Sequence, residues 1–423
     1  MKAMFASLSW VNYRLWFVGA LLSNVGAWMQ RTAQDWIVLT ELTDHNAVAV
    51  GVTMALQFGP LLFIAPFAGV LADRIPGRRL LAITQTAQAV LALGLGALVL
   101  SGTAQLWMVF VFAFLLGVVT AFDNPARQTF VSELVPAKSL PNAIALNSAS
   151  FNSARLVGPA IAGISVAVLG AGWVFVINAA TFAFVLIALK RLRKDELRVI
   201  AKAPRARGQI REGFRYIRSR PDLMVVLGMT FLVGTFGFNF PIFTSTMASI
   251  AFGTDADGFG FLLSALAFGS LAGALLSARR EQPRITVIVA AAGGFGATVL
   301  IASLMPSYAT FAIALVFVGL FSLTFSTGSN AYVQTTTTPM MRGRVMSIYM
   351  AIFAGTTFIG APIVGAIADT LGPRLALGSA AAAGLGAMAV GLIWMATGRR
   401  AKRAAGGVGA QVPIAQDEPA IAP

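Results

Sequence analysis

Cysteine is missing from all 423 residues, and histidine occurs once, at His45. Thiolate metal sites, disulfides and cysteine nucleophiles are thereby excluded. A histidine-based metal centre or a Ser/His/Asp hydrolase has nothing to be built from. Charge is scarce as well: Asp, Glu, Lys and Arg make up 11% of the chain, against roughly a quarter in soluble domains. A chain of this length would ordinarily form two or three soluble domains, but so few charges cannot coat their surfaces. The hydrophobic residues, 57% of the total, must therefore face lipid. A Gly-rich phosphate loop ending in Lys-Ser/Thr is also absent, so ATP does not drive work within this chain. Neither a cofactor nor a metal is expected.

What the chain has instead is twelve apolar runs. They cover residues 15–39, 47–72, 80–100, 104–122, 140–169, 171–189, 223–252, 259–278, 285–305, 308–334, 345–368 and 375–397. Each reaches or approaches the roughly 20 residues that span a bilayer core. The net charge of +15 is distributed between them with a clear period. Arg74, Arg78 and Arg79 follow the second run, and Arg127 and Lys138 the fourth. Residues 190–220 follow the sixth, Arg279, Arg280 and Arg284 the eighth, Arg342 and Arg344 the tenth, and Arg399, Arg400, Lys402 and Arg403 the twelfth. The alternate connections hold only Arg374. This alternation is the positive-inside pattern. It predicts a multi-pass protein of the inner cell membrane with both termini in the cytoplasm, and makes the charge a topology signal rather than a nucleic-acid footprint. No short apolar segment with a small-residue cleavage site opens the chain, so the first run is expected to be kept as a span.

The expected fold class is an all-α polytopic membrane protein, with about twelve transmembrane helices in two six-helix, pseudo-symmetric halves. The expected divisions are residues 1–192 for the first half, 193–220 for a cytoplasmic linker, 221–398 for the second half and 399–423 for a disordered cytoplasmic tail. In the linker, Ile210, Phe214 and Ile217 share one helical face, with Arg211, Arg215 and Arg218 on the other. That spacing describes either an amphipathic helix on an anionic membrane surface or a solvated basic linker. The halves repeat each other weakly. Asn124-Pro-Ala-Arg-Gln128-Thr129 after the fourth run matches Asn330-Ala-Tyr-Val-Gln334-Thr335 after the tenth, and Gly158-Pro-Ala-Ile161-Ala-Gly163 matches Gly360-Ala-Pro-Ile363-Val-Gly365. A parallel repeat of this kind gives a transporter two rockable halves with a site between them.

The connection between the second and third runs reads Gly69-Val-Leu-Ala-Asp73-Arg74-Ile-Pro-Gly77-Arg78-Arg79. It resembles the cytoplasmic loop motif of the major facilitator superfamily, with one residue more than usual between Arg74 and Gly77. The resemblance implies an acidic partner at the inner end of the fourth span, where Asp123 stands. Asn124-Pro125-Ala-Arg127-Gln128, Glu133-Leu-Val-Pro136, Asn147 to Pro159 and Gly237-Phe-Asn239-Phe-Pro241 are similar to the bacterial branch holding enterobactin-type siderophore exporters and drug-efflux proteins. The fifth span also resembles the antiporter motif of proton-coupled exporters through Gly158, Pro159 and Gly163, although Ala145, Ala154 and Ala162 stand where that motif has glycine. The implied fold is the major facilitator fold, and the implied activity is secondary transport.

Three ionisable residues lie well inside the runs: Arg31, Asp35 and Arg155. Such charges are costly and normally functional. Asp35 is the candidate for proton coupling, tuned by Arg31 one turn before it; the alternative is an Arg31–Asp35 pair that only cancels insertion cost. Arg155 is a candidate for binding an anionic substrate, for stabilising Asp35, or for bonding carbonyls freed at Pro159. The candidate cavity lining is Asn24, Trp28, Gln30, Gln34, Gln57, Asn147, Arg155, Asn178, Asn239 and Asn330. Phe231, Phe236, Phe238, Phe240 and Phe243 either meet a lipophilic substrate or, for most of them, face lipid. Paired carboxylates, or a nucleophile with its base, are missing from the runs, so an enzyme is not expected. The leading expectation is a monomeric proton-coupled exporter of a small amphipathic or hydrophobic compound, its partners being substrate, proton and bilayer. An importer or a facilitator of the same fold is the alternative, with a lipid scramblase or a membrane enzyme behind them.

Overall fold

The computed structural model describes residues 5–198, 209–278 and 283–406. Among them there is no β-strand, and long helices follow one another through short turns. The first six are α1 (Val11–Thr40), α2 (Ala47–Arg74), α3 (Gly77–Leu100), α4 (Leu106–Leu134), α5 (Leu140–Leu169) and α6 (Ala171–Arg191). A short helix, α7 (Gln209–Arg218), belongs to the linker. The second half comprises α8 (Pro221–Leu232) with α9 (Phe240–Thr246), then α10 (Ala256–Ala278), α11 (Ile285–Leu304), α12 (Tyr308–Thr336), α13 (Pro339–Leu371) and α14 (Pro373–Gly406). Eleven segments are long and apolar enough to cross a membrane, α8 and α9 counting as one. The 30-residue α1 is not among them, because Gln30, Arg31, Gln34 and Asp35 dilute its apolar character.

The repeat is visible in the packing. In the first half α2 lies on α4 and α3 on α6; in the second α10 lies on α12 and α11 on α14, at the same places in the order of spans. The turns repeat too. Gly170 between α5 and α6 has φ 82°, and Gly372 between α13 and α14 has φ 91°, a backbone region that only glycine enters without strain. The α2–α3 and α4–α5 connections and the C-terminal end of α6 share one face, here called the linker face; the α1–α2 and α3–α4 connections lie on the far face.

The seventh span is broken. A π-helical turn at Val233–Gly237 precedes Pro241, which has no N–H to continue the ladder, and a second π-turn occupies Met247–Ala251. Asn239 Nδ2 takes up the Thr235 carbonyl at 2.7 Å. The break lets α13 come very close: a Cβ on Gly360 would fall 1.7 Å from the Thr235 oxygen.

Close approaches between the halves concentrate at the far face. A Cβ on Gly51 of α2 would lie 2.4 Å from the Ala361 carbonyl of α13, and one on Gly365 of α13 would lie 2.4 Å from the Ala47 carbonyl of α2. Gly163 of α5 meets Gly260 of α10 with only 2.1 Å between its added Cβ and the Gly260 Cα. Small residues are what permit such contact between membrane helices. Trp36 of α1 stacks on Phe259 of α10, with ring centroids 4.5 Å apart. The Asp369 carboxylate at the end of α13 accepts from Ala47 N at 2.7 Å and Val48 N at 2.8 Å, so it caps the N-terminus of α2 across the halves, where the helix dipole favours an anion. Hydrogen bonds to a charged group contribute about 1.5–3 kcal/mol. Asp369→Ala is therefore expected to open the far face at least fivefold more often. The natural absence of cysteine makes the check simple: a Val364→Cys thiol, buried beneath this seal, should react with a maleimide correspondingly faster in the Asp369→Ala background.

Three expectations change. The linker helix α7 docks on α13, with Gly213 against Ile348 and Arg344 and Glu212 paired to Arg344. Its apolar stripe is divided, since Ile217 is buried and Phe214 exposed; the side chain of Ile210 lies outside the described residues. Of the seventh-span phenylalanines only Phe231 is exposed, and Phe243 is buried, while Phe238 joins a cluster with Phe240, Phe295, Phe325 and Phe353. These rings fill the space that the broken helix opens inside its own half, so most do not reach lipid. Finally, α14 continues to Gly406, so residues 399–406 extend the last helix into the stretch read as tail; residues 407–423 lie outside the described part.

Candidate substrate cavity

Trp28 of α1 sits between two arginines. The Arg31 guanidinium lies 5.1 Å from its ring centroid and 5.3 Å from that of Phe58 on α2. Arg155, from α5, lies 5.9 Å from the Trp28 centroid and 4.9 Å from Phe353 on α13. Tyr349, one turn before Phe353, is within electrostatic reach of Arg155 and lies beside the Asn330 side chain of α12. Phe151 of α5 meets Trp28 edge-on at 6.2 Å. Three helices of one half and two of the other thus have side chains here or immediately beside it.

Neither arginine is satisfied in the ordinary way. Among the described residues, Arg155 and Arg31 form no ion pair, neither donates a hydrogen bond to any side chain or carbonyl, and Arg31 Nε is enclosed without a partner. The expectation that Arg155 bonds carbonyls freed at Pro159 is not met. Nor is the Arg31–Asp35 pair closed: no contact within 4.0 Å joins them, and Asp35 Oδ1 is buried with no hydrogen-bond partner. Gln34 Oε1 and both amide atoms of Gln57 are left in the same condition. Cation–π contact offers about 0.5–2 kcal/mol, while a charge at mid-membrane costs at least about 2.5 kcal/mol. Stacking alone does not offset two half-buried guanidiniums, so water or a ligand has to reach them.

Other sequence candidates are used between helices. Asn178 donates to Gln30 Oε1 at 2.5 Å and ties α6 to α1, while Gln34 Nε2 donates to the Val109 carbonyl of α4 at 3.3 Å. Asn24 binds Ser150 Oγ at 3.4 Å. Asn147 is half-buried. In the fifth span, Gly158 seats the Trp28 side chain, its added Cβ falling 2.6 Å from Trp28 Cβ, and Ala154 is buried. Pro159 lies inside the helix, and Gly163 belongs to the far-face seal.

Toward the linker face a second polar cluster forms around Asp123. Its Oδ1 accepts from Thr84 at 2.6 Å and Gln85 at 2.7 Å, and its Oδ2 pairs with Arg127 Nε at 2.5 Å. Arg127 also reaches Ser23 at 2.9 Å and Asn24 at 3.4 Å. The loop-motif arginine Arg78 donates instead to the Leu189 carbonyl at 2.8 Å, and Arg79 is exposed. Gly77 packs on Glu133 and Phe130. Gly69, Asp73 and Arg74 stand on a stretch of α2 whose side chains lie outside the described residues. Breaking a buried ion pair costs about 3–5 kcal/mol, an exposed one about 0.2–1 kcal/mol. Arg127→Met is therefore expected to lower the thermal midpoint of the detergent-purified protein far more than Arg193→Ala, whose pair with Glu196 is 61% and 50% exposed.

Phe58, Phe151, Tyr349, Phe353, Thr84 and Gln85 were not singled out by sequence. Phenylalanine occurs 31 times in the chain, so no spacing separates a cavity ring from a lipid-facing one. For Thr84 and Gln85 the available signal was their polarity inside an apolar run.

The sequence model of the transmembrane secretion effector family matches residues 2–405. The chain belongs to this family of major facilitator transporters. It is 27% identical to the multidrug efflux pump Tap of Mycolicibacterium fortuitum, over 84% of this chain and 88% of that protein. It is 24% identical to the enterobactin exporter EntS of Shigella boydii, over 84% and 85%. A crystal structure of the nucleoside transporter NupG shares its fold, with TM-score 0.67 over 90% of this chain and 99% of that one at 12% identity. The protein is thus a multi-pass membrane transporter of the major facilitator fold and not an enzyme.

Proposed function

We propose that the protein is a proton-coupled exporter of a small amphipathic or hydrophobic compound, working as a monomer by alternating access. The basic connections of the linker face support a cytoplasmic position for it; the far-face seal then closes the site to the outside. The observation that carries the coupling is Asp35, a carboxylate buried on α1, whose apolar character Gln30, Arg31 and Gln34 dilute, with an unpaired oxygen, its nearest cation in sequence one turn away but not in contact. A buried polar atom without a partner is costly. Protonation of Asp35, or its exposure in the other state, relieves that cost, so the conformational change and the proton are linked. Export is supported by the exporting relatives, and the loop motif and residues 193–220 would act on the balance between states.

Everted membrane vesicles test this reading. Acidifying their lumen by respiration should drive uptake of a lipophilic dye of the efflux-pump type, and dissipating the pH gradient should abolish it. Accumulation only in right-side-out vesicles would instead support an importer. Flux indifferent to the gradient would support a facilitator.

A further inference from the structure

The Trp28–Arg31–Arg155 site holds more unmatched positive charge than an apolar or cationic cargo has use for. Its charged groups are Arg31, Arg155 and Asp35, with Tyr349 as a further titratable group beside Arg155. Even with Asp35 ionised one positive charge remains; with Asp35 protonated there are two. The Asp123–Arg127 pair is closed on itself and contributes no net charge. Both arginines keep all their N–H donors unused toward the described chain, and both lie against aromatic rings. A planar guanidinium with free donors is matched by a carboxylate, sulfonate or phosphate, which it binds in bidentate fashion. The remaining wall is aromatic: Trp28, Phe58, Phe151 and Phe353.

We infer that this site binds an amphipathic anion, its acidic group held between Arg31 and Arg155 and its planar apolar body against Trp28 and Phe353. The inference rests on the transporter reading above and narrows its substrate class. Arg155 comes from α5 and Phe353 from α13, so the ligand touches both halves and senses their relative position. A neutral analogue of the same shape keeps the ring contacts and loses the charged ones. A cation meets net repulsion.

Three matched probes decide the matter: naphthalene-2-carboxylate, naphthalene-2-carboxamide and 2-naphthylmethylammonium, titrated calorimetrically into the purified full-length protein in nanodiscs. The carboxylate should bind at least tenfold more tightly than the carboxamide, and the ammonium most weakly. Arg155→Gln should remove that tenfold preference by weakening the carboxylate more than the carboxamide, and Arg155→Lys should keep part of it. Equal or tighter binding of the amide or the ammonium overturns the inference, as does a carboxylate that fails to bind at millimolar concentration or an Arg155→Gln variant with its preference intact. The wild-type ranking is decisive even if the variant does not insert. Loss of proton-driven flux would remove the coupled-exporter reading without touching this ranking, whereas a missing charge preference in a protein that still transports removes this inference alone.

Discussion

Gly163→Leu is expected to reduce transport by more than tenfold while leaving expression and membrane insertion intact. The added Cβ alone would sit 2.1 Å from the Cα of Gly260, and the obstacle is backbone, which cannot rotate aside. Overpacking a contact of this kind costs about 1–3 kcal/mol for one or two methylenes, and a leucine adds more. The two access states of a transporter differ by a few kcal/mol, so the substitution is large enough to hold the far face open. The helices themselves remain sound, because α5 and α10 part in the open state. Gly228→Leu is the comparison, since nothing lies within 4 Å of a Cβ there; it should transport nearly normally. Dye flux normalised to inserted protein, together with maleimide labelling of Val364→Cys, gives both numbers. Slow labelling and normal flux in Gly163→Leu would mean that α5 and α10 need not touch.

Asp35→Asn is expected to abolish accumulation driven by a pH gradient while leaving exchange of substrate down its own gradient. The neutral amide mimics a permanently protonated carboxyl. Arg31→Gln should keep accumulation but change its pH dependence. The structural alternative makes a different forecast. If the two charges merely compensate each other in the membrane, both single variants insert poorly and the double neutral variant Arg31→Gln/Asp35→Asn recovers full coupled transport. The open geometry of the pair, with no contact within 4.0 Å, favours the first outcome. Flux at several pH values for the two singles and the double, each normalised to inserted protein, separates them.

Much of the architecture can be read from the chain before any coordinates. Twelve apolar runs with basic residues at alternate ends leave few folds, and the two motif repeats locate the halves. Periodicity carries this information because lipid imposes one rule on every span. The site is less legible. Arg31, Asp35 and Arg155 announce themselves as charges where charge is costly. Their surroundings do not: Phe58 and Phe353 are two phenylalanines among 31, placed by helix packing alone. The role of Asp369 was equally hidden. At the end of a span it reads as an ordinary solvated charge, and only the register of α13 against α2 puts its carboxylate on the Ala47 and Val48 amides. Likewise Gln30 and Asn178 are indistinguishable in sequence from cavity amides, and it is their hydrogen bond to each other that removes them from solvent.

The central claim is that the halves rock about the Trp28–Arg31–Arg155 site, with the far face sealed when the linker face is open. Pulsed electron-spin distance measurement tests it most directly, helped by the absence of native cysteine. One spin-label pair at Ser101→Cys and Thr310→Cys would span the halves at the far face, and another at Lys138→Cys and Thr338→Cys at the linker face. These four positions are exposed. The account predicts two distance populations for each pair, moving in opposite senses, with the far-face pair shifted to its long distance by Gly163→Leu and the linker-face pair to its short one. A single distance at both faces, unmoved by Gly163→Leu, or two faces that open together, would contradict it.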